Sequence, residues 1–336
     1  MIISKTPLRM SFFGGGTDFK TYYENSKFGY GSVISTALNM YVYITVNKRF
    51  DDKIRIVYNG NELVDTVDEI KHDIIRNALK LSGLSKGIEI VYSADIPMTG
   101  AGIGLSSSSA LAVGVMNALH AFKGERVSPE QLAREACQIE IDMIGQRIGV
   151  QDQFAVAYGG LRVYRFYANG EVSAEPVICQ KDNLLKWKKN LMLFYTGKGR
   201  DSRKILNEQS ETIAEKMARL DKLVEAVDRN YNYLVSGDID KWGYELDEAW
   251  KIKKTFANGV SNPEIDDMYE NAKKAGALGG KILGAGGGGF MLLYVQEENQ
   301  NAVREALKEY REIDFRIESA GSHIIFTDQQ KKWEGV

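Results

Sequence analysis

Mixed α and β structure in two domains is what this sequence predicts, and three observations carry it. The chain has 336 residues, long for a single hydrophobic core. In its N-terminal half, short strand-like runs alternate with stretches of helical apolar spacing. A polar, basic stretch at 181–190 then gives way to Leu191-Met192-Leu193-Phe194-Tyr195, which reads as a buried strand opening a new unit. The expected division is residues 1–185 and 186–336.

Taken in order, Val33-Ile34-Ser35 and Tyr41–Val46 read as strands, after a glycine-rich turn at Gly14-Gly15-Gly16. A helix near Asp68–Leu81 stops at Ser82-Gly83, and Gly87–Tyr92 reads as the next strand. Leu111, Val115, Ala118, Leu119 and Phe122 mark a helix beginning just after a run of serines. Ser128-Pro129-Glu130 has N-cap chemistry with proline at the first helical position, and opens a helix running to about Ile144. From Ile213, the apolar positions Met217, Leu220, Val224, Val227, Tyr231 and Leu234 step by threes and fours, the mark of a long amphipathic helix packed on a core. A helix at about Asn301–Tyr310 and a strand at about Ile313–Ile317 form a βαβ-like tail.

Composition is that of a globular enzyme, and a net charge of −2 supplies no general reason to expect nucleic acid or an anionic membrane as partner. No stretch reaches the eighteen apolar residues of a membrane span, and Met1-Ile2-Ile3-Ser4-Lys5 lacks a signal-peptide pattern. Cys137, Cys179, His72, His120 and His323 share no metal-ligand spacing, so the expectation is a cytoplasmic protein with free thiols, monomeric or homodimeric.

The chemistry concentrates in glycine-rich segments. Pro97-Met98-Thr99-Gly100-Ala101-Gly102-Ile103-Gly104-Leu105-Ser106-Ser107-Ser108-Ser109 runs into a helix, whose free N–H groups and positive dipole end suit an anion. Gly100, Gly102 and Gly104 let backbone approach a ligand, and Ser106, Ser107, Ser108 and Ser109 add hydroxyl donors and neutral oxygen ligands for magnesium. The loop is neither a Walker A sequence nor a dinucleotide fingerprint, and such a stretch also serves as a flexible connection. A second run, Gly279-Gly280-Lys281-Ile282-Leu283-Gly284-Ala285-Gly286-Gly287-Gly288-Gly289, feeds a strand; four successive glycines, so costly in chain entropy, imply close approach to another backbone or to a phosphate.

With Thr6–Phe19 at the start, the Gly/Ser run near 100 and the glycine run near 285, the chain resembles the GHMP kinases over nearly its full length. That superfamily includes galactokinase, homoserine kinase, mevalonate kinase and phosphomevalonate kinase. The resemblance implies a two-domain α+β fold: an N-terminal domain like the second domain of ribosomal protein S5, and a ferredoxin-like C-terminal domain. It also implies ATP as donor, with Mg2+, and a site between the domains. Ser106 stands where many members have glycine. Gly14-Gly15-Gly16-Thr17-Asp18-Phe19 and Gly149-Val150-Gln151-Asp152-Gln153-Phe154 look like the D-glycero-D-manno-heptose 7-phosphate kinases, which phosphorylate an anomeric hydroxyl. Kinases of fucose and other hexoses share such wording, and galactokinase-like proteins include silent sugar sensors.

By that resemblance, Asp152 accepts or orients the attacking hydroxyl's proton and Arg9 pairs with it while stabilising the transferred charge. Glu140, preferred over Asp142, and Ser109 or Ser108 are the expected magnesium ligands. Gly15, Gly16, Thr17 and Asp18 fall where the family binds sugar. Arg200 and Arg203, with Lys204 on the same helical face, are candidates for a substrate phosphate, although a solvated basic helix start is an equal reading. Gly286, Gly287 and Gly288 are expected to support the phosphate loop.

Overall fold

The structure, a computed structural model, describes residues 1–96, 104–197, 202–211, 213 and 216–328. The first half comprises β1 (Ile2–Phe13), the single turn α1 (Lys20–Tyr23), β2 (Tyr30–Lys48), β3 (Ile54–Val57), β4 (Asn61–Val64), α2 (Asp73–Ser82), β5 (Ile88–Ala94), α3 (Ser107–Phe122), α4 (Pro129–Cys137), α5 (Gln151–Tyr158), β6 (Leu161–Tyr167) and β7 (Val172–Pro176). The second comprises α6 (Lys181–Lys189), β8 (Leu191–Tyr195), α7 (Ser202–Glu211), α8 (Met217–Ser236), α9 (Lys241–Lys253), α10 (Pro263–Lys274), β9 (Ala277–Ile282), β10 (Phe290–Val295), α11 (Gln300–Ala306), β11 (Arg311–Glu312), β12 (Ile317–Glu318) and β13 (His323–Thr327).

β2 is the spine of the first sheet. Where two separate strand runs are expected, one 19-residue strand is found. Its first part is buried on both faces and pairs with β6. Its second part alternates buried with half-buried positions and pairs with β5. The alternation that marks a strand is therefore present only beyond Asn39, and the fully covered part carries no periodic signal. β1 lies antiparallel along β2, with register shifts at Pro7/Leu8 and Ser11/Phe13 that bend it toward the site.

The second sheet has the order β11-β8-β10-β9, all antiparallel, with α7 to α10 between its first two strands and α11 between its last two. This is the ferredoxin-like arrangement expected by resemblance. Phe12 of β1 stacks edge-on against Trp187 and Trp242, at ring-centroid separations of 5.1 and 5.5 Å, so α6 and α9 share a core with the first sheet. Such edge-to-face aromatic packing fixes the two layers in one orientation.

Three expectations need correction. The βαβ-like tail is present as β10, α11 and β11, but its last strand is Arg311–Glu312 and not Ile313–Ile317; beyond it β12 pairs with β2 and β13 with β1, so the chain returns to the first sheet, across the expected division at 186. The helix expected from Asp68 begins at Asp73, after a single turn at Val67–Glu69, and ends at Gly83 in a left-handed cap. The helix capped by Ser128, whose hydroxyl accepts from the Gln131 N–H at 3.1 Å, stays α-helical only to Cys137. From Gln138 to Met143 it widens into a π-turn, closed by the Ile144 N–H to the Ile139 carbonyl. Among the described residues no helix is long and apolar enough to cross a membrane.

Candidate active site

The two glycine runs meet backbone to backbone. A methyl group on Gly104 would lie 2.5 Å from the Leu283 carbonyl oxygen, and one on Gly284 would lie 2.5 Å from the Gly104 Cα; both residues also have positive φ. Only glycine fits either place. Ser106 follows in the left-handed region, at φ 61° and ψ 37°, the sole non-glycine there among the described residues. A serine held so costs roughly 1–2 kcal/mol relative to right-handed backbone. The turn lifts the chain into α3, leaving the N–H groups of its first turn without intrahelical partners. The buried hydroxyls of Ser106 and Ser107 have no hydrogen-bond partner, so this helix start carries unsatisfied donors where a phosphate would accept them.

Arg9, buried on β1, ties this loop to the acidic part of the site. Its Nε and Nη2 donate to the two carboxylate oxygens of Asp152 at 2.8 and 2.7 Å, and its Nη1 donates to the Gly104 carbonyl at 2.9 Å. The planar fork matches the carboxylate in a way a lysine could not. Asp152 sits in the first turn of α5, and its neighbour Gln151 accepts from the Ser11 hydroxyl at 2.8 Å. Asp18 approaches from the loop after β1. Its carboxylate accepts from the Gly16 N–H at 3.0 Å and the Gln151 N–H at 3.3 Å. Burial, then the nearby Asp152 carboxylate, pushes its pKa from 3.8 up to about 6. Gly149 makes room for it, since a Cβ there would lie 2.0 Å from an Asp18 oxygen.

Glu140 is carried inward by the π-turn, while Asp142, the rival considered from the sequence, is exposed. One Glu140 oxygen accepts from the Ser109 hydroxyl at 2.8 Å and the Gln153 amide at 2.6 Å. Its other oxygen is buried with no partner. Burial raises the carboxyl to about pKa 7, opposed by its bonds to Ser109, Ser108 and Gln153. An orphaned carboxylate oxygen beside two serine hydroxyls is a donor set that fits a small hard cation such as Mg2+.

Not every predicted site residue is brought to this constellation. Gly100, Gly102, Arg200 and the Arg203 side chain lie outside the described residues. The Thr17 hydroxyl is committed to backbone, donating toward the carbonyls of Gly14 and Ser32 and accepting from the Ser32 N–H, so Thr17 braces the loop instead of presenting a hydroxyl to sugar. The Gly16 N–H serves Asp18, whereas a Cβ on Gly15 would meet the Gln151 amide nitrogen at 3.9 Å, an ordinary contact. Among the described residues, support of the first loop falls to Leu283 and Gly284, while Gly286 and Gly287 pack against Val260. Sequence reasoning missed Gln151, Gln153 and the buried Lys281. The two glutamines flank the aspartate in the Gln151-Asp152-Gln153 triplet, which was the available signal; Lys281 follows Gly280 with no pattern of its own.

Comparison with known proteins agrees with this arrangement. The GHMP kinases N terminal domain matches residues 66–160, and the GHMP kinases C terminal domain matches residues 223–312. A D-glycero-alpha-D-manno-heptose 7-phosphate kinase of Campylobacter jejuni is 28% identical, covering 91% of this chain and 93% of its own. A galactokinase of Pyrococcus furiosus is 27% identical, covering 92% and 93%. Among solved structures, a D-glycero-D-manno-heptose 1-phosphate kinase of Bacteroides thetaiotaomicron superposes with a TM-score of 0.78 over 98% of this chain and 100% of that one, at 23% identity, which bears on fold only. Two family domains in order, over a full-length likeness and with the glycine loops seamed at Gly104 and Gly284, place this chain in the GHMP kinases, phosphotransferases whose donor is ATP.

Proposed function

We propose that this enzyme transfers the γ-phosphoryl group of ATP to the anomeric C1 hydroxyl of D-glycero-D-manno-heptose 7-phosphate, giving the 1,7-bisphosphate. The observation that carries the chemistry is the Arg9 fork, which joins the Asp152 carboxylate to the Gly104 carbonyl and so sets the acceptor-side group against the donor loop. The choice of acceptor draws on the full-length likeness to the Campylobacter heptose kinase.

In this reading the nucleotide phosphates lie at the start of α3, meeting the Ser106 and Ser107 hydroxyls and the free N–H groups of its first turn. Glu140 and Ser109 would hold a magnesium ion, which would supply charge neutralisation on the phosphates. Asp152 receives or orients the anomeric hydroxyl proton; with both oxygens engaged by Arg9, it is held in one orientation toward the acceptor. Asp18, its carboxyl shifted toward neutrality beside Asp152, can donate to or accept from a sugar hydroxyl as its protonation allows. Arg200 and Arg203 are proposed to hold the 7-phosphate as a bidentate pair.

A neutral sugar as acceptor is the second reading, and it draws on the likeness to the Pyrococcus galactokinase and to a Bacteroides fragilis L-fucokinase domain. ATP consumption measured with heptose 7-phosphate, fucose, galactose and mevalonate separates the readings. Turnover of a neutral sugar without turnover of the heptose phosphate would sink the first. Asp152→Asn is expected to lower kcat with the true acceptor by roughly 10²–10⁴-fold, with the ATP KM changed less than about threefold because nucleotide binding does not use that carboxylate. The Arg200→Ala, Arg203→Ala double variant should raise the acceptor KM far more than the ATP KM.

A further inference from the structure

Lys281 belongs to none of the roles above, yet it lies at the seam they share. It is the fifth residue of β9, one residue before the Ile282-Leu283-Gly284 segment that abuts Gly104. Its side chain is buried, 6% exposed, and its ammonium donates to the Phe12 carbonyl of β1 at 2.7 Å. Among the described residues it has no carboxylate partner. The charge that acts on it is of its own sign, Arg9 on β1, and the next cation along the seam, Lys253 on α9, is bonded to the Ile282 and Gly284 carbonyls at 2.9 and 2.5 Å. Asp247, on the same face of α9 that meets β9, is turned to Tyr269, Lys251 and Lys273. Asp152, the carboxylate partner of Arg9, is taken by it on both oxygens.

A buried cation with only like charges for neighbours is unfavourable unless it gives up its proton or receives an anion. We propose that Lys281 is the proton-accepting cation of the nucleotide site: neutral when the seam between the glycine loops is empty, it takes up a proton as the ATP phosphates arrive and complements their charge. Burial first, and Arg9 second, bring its pKa from 10.5 down to about 7, which agrees with a neutral amine in the free enzyme at slightly alkaline pH. The proton comes from solvent, and no covalent bond changes. The amine keeps its N–H bond to Phe12 in both forms, so the change of charge need not move β1. This inference rests on the reading that the Gly104–Ser109 segment takes the nucleotide phosphates.

The test is calorimetric titration of the full-length enzyme with ATP, in EDTA and without acceptor, at pH 6 and pH 8 in buffers of different ionisation enthalpy. Wild type is expected to take up a proton on binding ATP, approaching about one per site at pH 8 and much less at pH 6. Lys281→Met should bind ATP with at least a threefold smaller uptake at pH 8, and Lys281→Arg, permanently charged, should bind without any; far-UV circular dichroism checks that each is folded. Glu140→Gln should retain the uptake, which separates Lys281 from the other buried group near neutrality. Equal uptake by wild type and Lys281→Met, or by wild type and Lys281→Arg if the methionine variant does not fold, would overturn the proposal. Failure of wild type to bind ATP at all would overturn instead the nucleotide reading beneath it.

Discussion

Ser106 shows how a single residue holds a site in an unfavourable conformation. Its φ of 61° would suit glycine, yet its hydroxyl is buried and unpartnered at the start of α3. The two facts pull in opposite directions, and the substitution that separates them is Ser106→Gly. Relief of left-handed strain should stabilise the free protein by about 1 kcal/mol, read as a rise in the urea midpoint, while ATP affinity falls by a few-fold through loss of one donor. A variant that gains stability with unchanged ATP affinity would show that the hydroxyl meets no phosphate. The individual groups Arg9, Asp152, Glu140 and Ser109 were legible in the sequence because a family pattern marks them. Lys281 and the committed hydroxyl of Thr17 were not, since burial and partner choice depend on what the rest of the chain brings near, and no local spacing encodes that.

At the scale of elements, the informative departures are places where a regular element changes character. Where the helix widens into a π-turn at Gln138–Met143, Glu140 is buried and Asp142 is left outside. The glycine seam behaves likewise. Gly104→Ala introduces both a left-handed alanine and a Cβ against the Leu283 carbonyl, whereas Gly124→Ala adds only the former, having open space around it. Gly104→Ala is therefore expected to lower stability by at least about 1 kcal/mol more than Gly124→Ala and to weaken ATP binding, with Gly124→Ala leaving affinity unchanged; thermal unfolding with and without ATP checks both. Strand extent was readable where one face is open to solvent, as beyond Asn39 in β2, whereas in the part covered on both faces only the short apolar run Val33-Ile34-Ser35 stood out and its continuity with Tyr41–Val46 did not. The very short β11 and β12 carry no periodicity to read.

For the whole molecule, buried titratable groups set a pH dependence whose sign can be worked out. Between pH 3.8 and about 6 the unfolded chain has released the Asp18 proton while the folded chain keeps it, so this group makes stability fall as pH rises. Between about 7 and 10.5 the folded chain has lost the Lys281 proton while the unfolded chain keeps it, so stability rises with pH. The two together place a minimum near pH 6–7 in the ligand-free protein. Denaturant midpoints at pH 4.5, 6.5 and 9 should show the acid limb flattened in Asp18→Asn and the alkaline limb flattened in Lys281→Met, each relative to wild type; identical profiles would refute the assignment. The two-domain α+β architecture was legible from length, composition shift and family wording. The path of the chain between its halves was not, because strand pairing across more than 300 residues, as of Ile2 with Thr327, leaves no trace in local sequence.

That return of β12 and β13 makes the ferredoxin-like unit an insertion within the first sheet, not an appendage to it. During synthesis, β1 waits for its outer neighbour until the whole intervening ferredoxin-like unit has left the ribosome, with an edge open to wrong partners in the interval. The enzyme's two halves are thus sealed by a strand made after the unit it encloses, and the Arg9 strand acquires its full frame only once residues 323–327 are in place.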